Sequence, residues 1–228
     1  IGSAAVFNGN VTVATFTAGN TVAGVTFNGA SNTFQSSVSF SNDGTLNFGD
    51  STNDNFTFNG GLNTSSVGST VRLEGTIASS NDAMVFGNIT LGNNVTLDTN
   101  ATSTTGDLTI GSVSQSGSRT LTLSTGNNIA NADVTVGNIV VNNLTLADIG
   151  GTATLSEGQR TTVDTLTVGN TVANVAFVGN GSTVSTAVSF ANDGSLTLGV
   201  SGDTQTFNGG LTTTSVGGTV TLNGSIKT

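Results

Sequence analysis

Proline, cysteine, histidine, tryptophan and tyrosine are all missing from this 228-residue chain. Without cysteine there is no disulfide and no thiolate metal site, and the redox compartment stays undecided. Without histidine or cysteine, the commonest general base and the strongest side-chain nucleophile are gone. Charge is scarce as well: Asp, Glu, Lys and Arg make up 7% of residues, against roughly 25% in typical soluble proteins. The formal net charge is −9, with only Arg72, Arg119, Arg160 and Lys227 positive. A phosphate backbone requires clustered cations to displace its counterions, so nucleic acid is excluded as the expected partner. No stretch approaches the ~20 apolar residues of a membrane helix, so no membrane insertion is expected in this segment. No basic-then-apolar leader opens the chain. It begins with Ile1 and not Met, which leads to the expectation of a processed or excised portion of something longer.

What is present is glycine (32 residues) and many Val, Ile, Thr, Ser, Asn and Phe. The β-branched and aromatic residues fit a pleated strand, and Gly and Asn fall between short apolar runs, where turns use them. The fold class read from this is all-β. Triplets of the form apolar-Thr-apolar recur: Ile89-Thr-Leu91, Val95-Thr-Leu97, Leu108-Thr-Ile110, Leu121-Thr-Leu123, Val134-Thr-Val136 and Leu144-Thr-Leu146. Each places two apolar side chains on one face and a threonine on the other.

The chain also repeats itself. TFNGGLNTSSVGSTVRLEGTI (57–77) returns as TFNGGLTTTSVGGTVTLNGSI (206–226), GNTVAGVTFNG from Gly19 as GNTVANVAFVG from Gly169, and SVSFSNDGTLNF (37–48) as AVSFANDGSLTL (187–198). The internal long repeat thus matches 11–77 to 161–226. Its offset is 150 until one residue is lost between Phe48 and Phe58 in the second copy, in a polar stretch that reads as a loop. Exchanges such as Phe48 for Leu198 and Phe34 for Val184 suit an interior column. Residues 78–150 have no partner copy but keep the same style.

Short, evenly spaced strands admit a sandwich, a barrel or a solenoid. The Asn- and Gly-rich turns, and a long repeat that does not close within the chain, favour the solenoid. The expectation is a single continuous unit over 1–228, a parallel β-solenoid (right-handed β-helix by the crossover rule). Two or three strands per coil give roughly 20 residues per rung. About ten rungs at ~4.8 Å make a rod on the order of 50 Å long.

The pattern TFNGGL–TTTSVGGTVTLNG–SI, with MVFGNITLGNNVTLDT and SRTLTLSTGNNI, resembles the repeat regions of filamentous-haemagglutinin-like bacterial exoproteins, with autotransporter passengers close behind. The resemblance covers essentially the whole chain and lies in repeat style. It implies a β-helical shaft, a secreted or cell-surface location, and a part in adhesion, matrix or fibre formation. It brings no catalytic residues to place here. Such proteins open with a secretion domain bearing an Asn-Pro motif, and this chain has no proline.

Four features are candidate sites. Asn42-Asp43-Gly44 recurs as Asn192-Asp193-Gly194 and reads either as a calcium-ligating turn or, preferably, as a tight turn built for backbone reasons. Asp50, Asn53 and Asp54 could grip a cation, but the second copy retains only Asp203. Arg72 and Glu74 share a strand face and read as an exposed pair, replaced by Thr221 and Asn223. Sequons at Asn10, Asn55, Asn88, Asn94, Asn143 and Asn180 arise from composition. No catalytic, cofactor-binding or metal-binding residue is expected, and no enzyme. The functional expectation is a structural, non-catalytic extracellular fibre or adhesin shaft whose segments stack head to tail. The alternative is a glycan-binding surface module using outward Thr and Asn columns.

Overall fold

The alternating triplets dictate the architecture. An apolar-Thr-apolar strand buries one face only, and a chain of such strands closes a core by winding so that inward side chains of successive turns meet. The computed structural model describes residues 2–228 and is an all-β solenoid with no helix among them, of about ten turns with ~22 residues per turn. Every strand pairing among the described residues is parallel, each strand lying on its equivalent one turn earlier.

Three ladders form the walls. Ladder A runs through Val25, Leu46, Val71, Ile89, Val113, Ile139 and Thr161. Ladder B runs through Asn32, Phe56, Ile77, Leu97, Leu123, Leu146 and Val168. Ladder C runs through Leu62, Met84, Leu108, Val134, Ala153, Val175, Leu196 and Val220. The chain visits A, B and C in that order in each turn. Mid-chain the corners are tight enough for single strands, Met84–Asp98 and Val134–Leu146, to bend through all three ladders.

The inward columns are the core. Phenylalanines are concentrated in the first turns: Phe7, Phe27 and Phe48 stack on ladder A at 4.9 and 5.8 Å between ring centroids, and Phe34 and Phe58 stack on ladder B at 4.7 Å. Further along, Leu73 and Leu91 continue the ladder A column, whereas buried Ser79 follows Phe58 on ladder B; Phe48, Leu198, Phe34 and Val184 are all buried, each counterpart on a different wall. Each fully buried side chain of this kind stabilises by about 1.5–3 kcal/mol.

Corners need backbone that other residues resist. Gly75 and its counterpart Gly224 have φ of +79° and +69°, and a Cβ there would meet the carbonyl oxygen of Asp54 or Asp203 at 2.3 or 2.4 Å.

The two copies of the long repeat do not sit on the same walls. Val25 lies on ladder A, and its counterpart Val175 lies on ladder C. Between them the chain makes six turns and two-thirds of a seventh. Likewise Phe56 is on ladder B while Gln205, in the same place of the repeat, is on ladder A. The repeat is therefore out of phase with the turn by one wall.

Candidate functional site

The sequence-predicted positions fall into place mostly as backbone caps. In Asn42-Asp43-Gly44, Asn42 is fully buried and its amide donates to the carbonyls of Gly44 (2.9 Å) and Thr45 (3.1 Å). Asn192 repeats this with Gly194 (3.0 Å) and Ser195 (2.9 Å), although it sits at a different corner of the solenoid. Asp43 and Asp193 are exposed. The turn is built by asparagine amide hydrogens pointing at carbonyls, while the buried Oδ1 atoms of Asn42 and Asn192 have no hydrogen-bond partner.

Asp54 behaves similarly. Its Oδ2 accepts the backbone N–H of Asp50 (2.8 Å) and Ser51 (3.0 Å), and Asp203 accepts that of Val200 (2.9 Å). The aspartate kept in both copies closes the loop that loses one residue. Among the described residues, no group of three or more acidic side chains is placed to hold a metal.

The Arg72–Glu74 pair departs from expectation. The two side chains form an ion pair, but it is not an exposed one: Glu74 is 4% exposed, whereas the Arg72 side chain is 41% exposed. The reason is the corner. Gly75 turns the chain immediately after Glu74, folding it against the backbone of Gly49 one turn earlier. Its counterpart Asn223 fills this place with an amide that donates to the Gly199 carbonyl (3.2 Å).

Several sequon asparagines do structural work. The side-chain oxygens of Asn10, Asn94 and Asn180 accept the backbone N–H of Ser31 (3.1 Å), Thr120 (3.0 Å) and Thr204 (3.0 Å), each on the next turn. They bridge turns where the strand ladder is interrupted.

Two surface features stand out, a groove that was not legible from the sequence and an outward threonine column of the kind the triplets predict. One is a surface groove of about 580 Å³ between the 64–70 loop and ladder A, lined by Thr64, Ser65, Asn88, Thr90, Ser112 and Ser114 among others. It exists because a long corner at 64–70 is followed one turn later by the short Gly87-Asn88 corner. Thr90 bonds Ser114 at 2.9 Å and Ser112 bonds Asn88 at 2.8 Å, whereas the buried hydroxyl of Thr64 has no hydrogen-bond partner. It offers hydroxyls and an amide to a neutral ligand but no acid, base or activated nucleophile. The other is an outward column on ladder B: Thr76, Thr96, Thr122, Thr145 and Thr167 lie on five successive turns.

Apolar side chains are less buried in the first and last described turns than between them. Phe7, Val11 and Phe16 are half-buried in the first turn, as are Leu211 and Ile226 in the last, where Leu222 is 58% exposed. Their interior equivalents Leu62, Leu73 and Ile77 are buried.

No protein-family model matches the chain, and no curated protein or solved structure shows significant similarity to it. The likeness to filamentous-haemagglutinin-like proteins rests on repeat style, and a solenoid shape is shared by proteins of many functions. No helix among the described residues is long and apolar enough to cross a membrane.

Proposed function

We propose that this chain is a structural, non-catalytic segment of a secreted or cell-surface bacterial protein, extending as a fibre or adhesin shaft. The observation that supports the reading is that one stacked core runs the length of the described residues, while many polar side chains along it hold turns together. Asn42, Asp54, Asn94 and Asn180 each cap backbone. A stack of this kind works through length and stiffness. Its open strand edges are templates for pairing, and a head-to-tail contact that does not close on itself propagates. Low charge and the repeat style of the sequence support the extracellular placement. Sedimentation equilibrium tests the association: mass rising with concentration is expected, and a constant monomer mass over a hundredfold range would sink it.

The threonine column on ladder B favours a second reading, a face that binds glycan or ice. Against it, the one-wall shift of the repeat carries equivalent outward residues around the rod instead of keeping them on one face. Thr57 is on ladder B and Thr206 on ladder A. A glycan array and a thermal-hysteresis assay decide between the two, and specific binding lost in Thr122→Val would establish the second reading.

A further inference from the structure

We infer that the middle of the rod carries a binding trough for a neutral oligosaccharide, at the corner where the chain passes from ladder C to ladder A. This goes beyond the shaft reading and does not depend on it.

Corner length makes the trough. Between ladder C and ladder A the chain uses six residues past Thr64 (65–70), then only two on each of the next three turns: Gly87-Asn88, Gly111-Ser112 and Gly137-Asn138. On the turn after that it again uses five, at 156–160. The ladders being joined are the same, so the extra residues bulge outward while the three short corners lie flat. The result is a floor of three turns between two raised loops, roughly 19 Å from loop to loop at ~4.8 Å per turn. Glycine keeps the floor low: a Cβ at Gly111 or Gly137 would meet the carbonyl oxygen of Gly87 or Gly111 at 3.1 or 2.1 Å. The groove of about 580 Å³ is the end of this floor against the 64–70 loop. All three short corners fall within residues 78–150, the stretch without a second copy. The one-wall shift of the long repeat therefore does not touch this feature.

The floor is polar, uncharged and only partly satisfied. Asn88, Ser112 and Asn138 follow one another on successive turns, and Thr90 pairs with Ser114 beside them. Asn10, Asn94 and Asn180 cap backbone on the next turn. Asn88 instead accepts the Ser112 hydroxyl (2.8 Å); among the described residues its amide nitrogen and the whole Asn138 side chain are without a partner. Thr64, which lines the groove, keeps a buried hydroxyl without one. Aliphatic surface adjoins these groups. Val67 is half-buried on the 64–70 loop, and Val140, 38% exposed, follows Ile139, the partner of Val113. Amides and hydroxyls beside aliphatic carbons match a sugar ring, with hydroxyls at its rim and C–H groups on its faces. A polypeptide is matched less well, because its backbone seeks N–H and C=O partners that the parallel ladders here already pair with each other. No charged residue lines the groove, and Glu157 and Arg160 on the far loop offset each other, so an anionic sugar has nothing to hold it.

The test titrates the isotope-labelled full chain with maltopentaose, cellopentaose, mannopentaose and a Gly-Ser decapeptide, following backbone amide signals by NMR. At least one of the sugars should shift amides in 87–90, 111–114 and 137–140 saturably, and the peptide should not. Asn88→Ala combined with Asn138→Ala should weaken that binding by about tenfold or more, since two hydrogen-bonding side chains are lost. Neither side chain is in the core, so the thermal midpoint should stay where it was. Ser114→Leu, whose larger side chain fills the groove from an exposed position, should weaken binding independently. No saturable shift with any of the sugars would overturn the inference, as would shifts with the peptide alone. Shifts confined to ladder B and abolished by Thr122→Val would overturn it too, placing the sugar on the threonine column. None of these outcomes bears on whether rods stack, which is read from their length.

Discussion

At the scale of single residues, the informative positions are those where the two copies differ beneath the surface. Glu74 and Asn223 occupy one corner niche with different chemistry, and only the charged version has an arginine beside it. Arg72→Thr alone leaves a buried carboxylate without its counter-charge and should cost about 2 kcal/mol. The double change Arg72→Thr, Glu74→Asn restores the second copy's solution and should lie within about 0.5 kcal/mol of the parent, a coupling that urea denaturation of the four-member cycle measures. Gln205 is the other telling case. It is fully buried where the first copy has Phe56, its amide donates to the Phe177 carbonyl, and its Oε1 has no partner. The Phe177 carbonyl also accepts the Gly199 N–H at 2.8 Å, so it stays satisfied without the glutamine. Gln205→Leu should therefore stabilise by about 1 kcal/mol, read as a raised thermal midpoint; a lowered midpoint would mean that the amide holds this corner together.

At the scale of strands and turns, the triplets made the fold legible. Leu121-Thr-Leu123 and Leu144-Thr-Leu146 point their leucines inward and pair directly, as alternation demands. The corners were less legible, because their lengths vary without a consistent signal. Phe86 to Ile89 is turned by two residues, whereas residues 99–107 make a long excursion held by Thr99 donating to the Gly106 carbonyl at 2.5 Å. Burial of Glu74 and Asn42 was hidden for the same reason: both belong to corners, where period-2 reasoning has no purchase. Since each turn touches only its neighbours, damage should stay local. Leu123→Ala, in the middle of ladder B, should cost about 2–5 kcal/mol. Its faster hydrogen exchange should be confined to the turns around 97, 123 and 146, with the Phe-rich first turns unaffected. Uniform acceleration along the chain would indicate one cooperative core instead.

At the scale of the whole molecule, the repeat and the turn keep different periods. The 150-residue offset was plain in the sequence, but its phase was not, because it depends on how many turns the unmatched 78–150 stretch makes. The pairings show six and two-thirds turns between equivalent residues, so a surface feature carried by the repeat is rotated about the rod from copy to copy. That suits a shaft better than a single binding face. It also explains why the kept positions are inward apolars, corner glycines and backbone caps, which serve equally well on any wall. The most direct test of a shaft that extends by stacking is electron microscopy of the purified chain across a concentration series. Unbranched rods of uniform width are expected, about 50 Å long when single and lengthening in steps of that size as concentration rises. Rounded particles, or short rods whose length ignores concentration, would contradict it.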